Sequence, residues 1–124
     1  MNLAEYFENA EGIGVLGTAD AAGKVDLAIY ARPHVIDEHT VAFIMADRLS
    51  HQNIAANAHA TYLFVENREG YHGLRLYLTR KTEETDPQKI EAIRRKSRKD
   101  PHEAGGQKFL VQFNVEKTRR LVGD

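Results

Sequence analysis

The residues best placed to do chemistry stand together in the stretch "ADRLSH", where Arg48, Ser50 and His51 precede a short apolar-periodic segment, "QNIAAN". Ser50 fits the cap of a helix, with Leu49 before it and Ile54 four positions inside, the spacing of a hydrophobic staple. A helix start offers unpaired backbone N–H groups and a partial positive charge. A hydroxyl, an imidazole and a guanidinium beside it complete the donor set that a phosphate needs. A capped helix on a polar surface has part of the same set, so the motif alone leaves both readings open.

Other chemistries find less support. The six histidines form no H-E-x-x-H pair, and scattered surface positions are the plain reading for them. With no cysteine, the chain has no disulfide, thiolate site or thiol nucleophile. Its serines are only Ser50 and Ser97, with no G-x-S-x-G around either. The adjacent Glu83 and Glu84 lack apolar shielding, so nothing points to a raised carboxyl pKa. "GIGVLG", Gly12 to Gly17, matches the letters of a dinucleotide fingerprint but leads into a turn rather than a helix. Its glycines are expected to permit tight strand packing. The basic run Arg94 to Lys99 lacks interleaved aromatics and reads as the solvated end of a helix. A formal net charge of -1, from 17 Lys+Arg and 18 Asp+Glu, gives no footprint for nucleic acid. No secretory signal opens the chain, and no apolar run reaches the roughly 18 residues of a membrane span. The default expectation is a cytoplasmic protein of one domain, residues 1–124, that engages neither nucleic acid nor membrane.

These residues must be positioned by the elements around them. A helix capped by Asn2 places Leu3, Tyr6, Phe7 and Ala10 on one face and stops at Gly12. Strands follow at "IGVLGTA", "KVDLAIYAR", "VAFIMA", "ATYLFVE" and "LRLYLTRKTEE"; Pro33 interrupts the second, which either bends there or gives way to a new strand at "HVID". Asp86 and Pro87 begin a helix running through "QKIEAIRRKSRK", and "QKFLVQFNVEKTRRLVG" is a last strand or pair of strands. Six to seven mostly antiparallel strands with short helices predict a mainly β protein, a small barrel with helices at its ends. "VAFIMA" and "FLVQF" are apolar on both faces. One face fills the barrel and the other needs a cover, so a homodimer is expected.

The succession "GVLGTADAAGKVDLAIYAR", "TVAFIMADRLSHQNIAANAHATYLF" and "GLRLYLTRK" resembles the pyridoxamine 5′-phosphate oxidase-like family of FMN-binding split barrels. The resemblance covers about Gly14 to Lys81. It implies a homodimer with FMN at the subunit interface. The flavin edge would meet Ala31, Arg32, Pro33 and His34, and Met45 and Ala46 would line the ring or ribityl chain. Arg48, Leu49, Ser50 and His51 would form the phosphate loop, with Arg75 nearby. Arg32 or Arg75 would stabilise negative charge on reduced flavin, and aromatics such as Tyr71 or Phe109 would come from the second subunit. Many relatives carry a serine-arginine-lysine run in that loop; here Ser50 stands where the lysine falls. The true oxidases have a further C-terminal segment with substrate-binding residues, so that specific activity is not expected. The resemblance implies a flavoprotein oxidoreductase or electron carrier that uses FMN and a small-molecule redox partner. The competing expectation is a non-redox binding or sensor module on the same fold, holding haem (with His34 the nearest ligand), a deazaflavin or nothing.

Overall fold

The computed structural model describes residues 1–94 and 106–123. Of the expected features, residues 95–99 of the basic run, Ser97, His102 and most of the loop 100–106 lie outside the described residues. The elements in chain order are α1 (Leu3–Asn9), β1 (Gly12–Ala19), β2 (Val25–Ile29), β3 (His34–Asp37), β4 (Thr40–Ala46), α2 (Leu49–Ala56), β5 (His59–Glu66), β6 (Gly73–Glu84), α3 (Pro87–Ile93) and β7 (Lys108–Arg120).

Local chemistry explains the element boundaries. The Asn2 side chain accepts from the Glu5 amide and starts α1. Asp86 does the same for α3 through the Gln88 amide, with Pro87 in the first turn, where a missing N–H costs nothing. Between β1 and β2, Asp20 Oδ1 accepts from the Ala22 and Lys24 amides, and Gly23 takes the left-handed φ that the reversal requires.

The seven strands form one sheet in the order β2-β1-β5-β6-β7-β4-β3, every neighbour antiparallel. Its two edges, β2 and β3, are consecutive in the chain and separated only by residues 30–33. From Ile29 to His34 the backbone reaches at most about 17 Å. Seven flat strands would put their edges about 29 Å apart. The sheet therefore curls until its edges approach, without a ladder between them. The result is a split, mainly β barrel.

Inside the curl lie Phe7, Leu16, Phe43, Met45, Tyr62, Phe64, Leu76, Val111 and Phe113, all buried. The aromatic rings meet mostly edge to face, as with Phe7 and Phe64 at 5.5 Å. The Tyr62 hydroxyl reaches the seam and donates to the Tyr30 and Ala31 carbonyls, each 3.1 Å away. Gly14 makes this reach feasible: a Cβ there would overlap the Tyr62 hydroxyl and the Tyr30 carbonyl oxygen. The glycines of "GIGVLG" thus serve close packing inside a strand.

The expected cover for the second face of β4 and β7 comes partly from within the chain. Ile90 of α3 packs on Ala42 and Leu110, flanked by Ile44 and Ile93. The uncovered apolar face lies elsewhere. Val25, Leu27 and Ile29 of β2 are 77%, 71% and 72% exposed, and Ile13 of β1 continues the patch. Among the described residues, no helix is long and apolar enough to cross a membrane.

Replacing Gly14 with alanine should cost about 1–3 kcal/mol in urea unfolding, the usual range for overpacking. Tyr62→Phe in the same chain should recover part of that loss. A Gly14→Ala protein as stable as the wild type would contradict this packing.

Candidate functional site

The site is built where β4 ends, α2 begins and the 30–33 seam passes. Arg48 occupies the N-cap of α2 and Leu49 its first helical position. Ser50 is therefore the second residue of the helix, not its cap as expected. The expected staple does not form either: Leu49 is half exposed while Ile54 is buried in the core. The Arg48 side chain makes no cap hydrogen bond, and no acidic residue occupies the first turn of α2. The Gln52 amide bonds to the Arg48 carbonyl, so the amides of Leu49, Ser50 and His51 lie before the first intrahelical bond.

Ser50 is buried, and the seam residue Tyr30 reaches it. The Tyr30 hydroxyl shares a side-chain hydrogen bond with Ser50, and the Arg48 charge acts on the same phenol. Burial pushes the Tyr30 pKa up, against the opposing pull of Ser50 and Arg48. Arg48 itself is exposed, at the mouth of the uncapped turn.

His51 has a different set of neighbours. Its Nδ1 lies 2.9 Å from Asp47 Oδ1, its Nε2 meets Glu83 Oε1, and its ring stacks on Phe109 at 4.0 Å. Burial works against the charged ring, but the hydrogen bonds and charges of Asp47 and Glu83 outweigh it and raise the pKa. An imidazole held by two carboxylates is not a free phosphate ligand.

Two of the arginines are similarly occupied. Arg32 Nη1 donates to the Phe7 and Ala10 carbonyls and caps the end of α1. Arg75 donates to the Arg120 carbonyl at 2.9 Å and to that of Gly123, pinning the end of the described chain. Both guanidiniums serve backbone oxygens. Met45 is buried in the core, whereas Ala46 is half-buried on the opposite face of β4. Ala31 is exposed on the seam, Pro33 is buried and His34 is half-buried at the start of β3, where it pairs with Ala42. Phe109 packs on His51 of its own chain, while Tyr71 is exposed.

No family model and no curated protein sequence matches the chain. Solved structures do. An FMN-binding protein from Syntrophomonas wolfei superposes with a TM-score of 0.79 at 14% identity, covering 98% of this chain and 84% of its own. A protein related to general stress protein 26, of the pyridoxinephosphate oxidase family, from Clostridium acetobutylicum gives 0.67 at 14% identity, covering 94% and 83%. HupZ from Group A Streptococcus gives 0.72 at 22% identity, covering 96% and 90%. The fold is the FMN-binding split barrel.

Within this split barrel the α2 start has what an anion needs. It offers uncapped amides, the exposed Arg48 and the Ser50 hydroxyl. The two carboxylates nearby, Asp47 and Glu83, are turned on His51. Sequence reasoning missed Tyr30, Asp47 and Glu83 as members of this cluster. Tyr30 and Glu83 arrive from β2's end and from β6, and no local pattern links them to α2. A groove of about 750 Å³, lined in part by Val25, Leu27, Thr61 and Tyr77, opens on the uncovered face instead, and none of the expected site residues lines it.

Proposed function

We propose that the chain is a small FMN-binding flavoprotein that works in redox chemistry as a homodimer. The observation that carries this reading is the uncapped first turn of α2, with Arg48 at its mouth and the Ser50–Tyr30 pair beside it. In this reading the Leu49, Ser50 and His51 amides and Arg48 hold the phosphate. Arg48 supplies the charge that a lysine at position 50 would otherwise bring. Ala31 and Ala46 offer small side chains where a flat ring would approach. Bound FMN supplies hydride or single-electron transfer, so the chain's own task is to bind, orient and shield. The split-barrel fold shared with an FMN-binding protein supports the reading as well.

The uncovered face supports the dimer. Val25, Leu27 and Ile29 form an exposed apolar row on an edge strand, the kind of surface that a second copy covers. Light scattering after size exclusion should return twice the 14.0 kDa chain mass. Leu27→Asp should shift that mass toward one chain, and a wild type that runs as a monomer would remove the dimer.

The purified protein, or the protein mixed with FMN, should show a bound flavin spectrum. Arg48→Ala should weaken FMN binding about tenfold or more, the loss expected for a charge-assisted hydrogen bond. A colourless protein that fails to take up FMN would sink the cofactor assignment.

A further inference from the structure

His51 joins three elements through one ring. Asp47 comes from the turn between β4 and α2, Glu83 from near the end of β6, and Phe109 from β7. Both ring nitrogens face carboxylate oxygens. A neutral imidazole carries a single N–H, so its other nitrogen would turn a lone pair toward a carboxylate. Only the imidazolium donates on both sides. The geometry therefore specifies the charged ring, and Phe109 fixes its plane by stacking within 17° of parallel.

We propose that protonated His51 is a pH-operated latch, which holds the start of α2 against β6 and β7 and whose deprotonation weakens anion binding at the same turn. The second half rests on the FMN reading; the latch itself does not.

The charged groups acting on the ring are Asp47 from the turn and Glu83 from β6; β7 presents the uncharged Phe109. Arg48, next along the chain, acts on Tyr30. While His51 is charged, it offsets one of the two carboxylates beside the α2 amides. Once it is neutral, the local charge falls by one and both carboxylates stand less compensated near the bound anion. The raised pKa of the ring agrees with this arrangement. Its sign sets the window. A histidine whose folded pKa lies above the unfolded value, about 6.5, stabilises fully below that value. The contribution is lost as pH rises through the folded pKa. The second ionisation of a phosphate monoester lies near pH 6, so FMN itself keeps a constant charge on its phosphate from about pH 7 upward.

The test follows the His51 ring by NMR titration, with His51→Phe identifying its signal and Glu83→Gln removing one carboxylate at little change in shape. In the wild type the ring should titrate above the ordinary histidine value, and Glu83→Gln should bring its midpoint down. The thermal-stability advantage of wild type over His51→Phe should be full below about pH 6.5 and shrink as pH rises through the ring's own midpoint. FMN affinity should fall about fivefold to tenfold over the same range in the wild type and stay level in His51→Phe, an ordinary size for coupling between sites. A ring that titrates at or below the ordinary value, or a midpoint unmoved by Glu83→Gln, overturns the latch. FMN binding that is flat with pH overturns the coupling and leaves the cofactor reading intact. FMN that binds at no pH removes the cofactor reading and the coupling together, while the titration still decides the latch.

Discussion

The architecture depends on one short crossing. Residues 30–33 carry the chain from one edge of a seven-stranded sheet to the other, too short a span for any flat arrangement. The sheet must curl, and everything that lines the interior follows from that. The Tyr62 hydroxyl grips the crossing from inside, through carbonyls of Tyr30 and Ala31. Gly14 leaves room for that ring, and Arg32 ties the crossing to the last carbonyls of α1. A seam that carries no strand ladder is thus held by side chains.

The same crossing builds the candidate site. Because Tyr30 ends at the seam, its hydroxyl meets Ser50 at the start of α2. Because β6 and β7 curl past the same point, Glu83 and Phe109 close on His51. The helix start is left with a divided electrostatic field. Uncapped amides and Arg48 favour an anion, and two carboxylates stand by under the control of one imidazole. An anion suits the attractive half of that field.

Much of the fold was legible in the sequence, because its signals are local. Period-two alternation marked the strands, Asn2, Asp86 and Pro87 marked helix starts, and Pro33 marked the break between β2 and β3. The site was legible only in position. "ADRLSH" was placed at a strand–helix junction, but Arg48 took the cap in place of Ser50, and Ser50 interacts with Tyr30, twenty residues away. Arg32 and Arg75 satisfy backbone carbonyls that no local pattern announces, because their proximity depends on how distant segments meet. The second apolar face of β4 read as a subunit interface, and α3 covers part of it. Alternation shows that a face is buried without showing what buries it.

The central claim is that the start of α2 grips a phosphate. The most direct measurement compares the binding of FMN and riboflavin to the same protein by flavin fluorescence. The two share a ring and differ in the phosphate. The account predicts that FMN binds at least about tenfold more tightly, the worth of a charge-assisted contact. Equal affinity for the two flavins, or tighter binding of riboflavin, would contradict it.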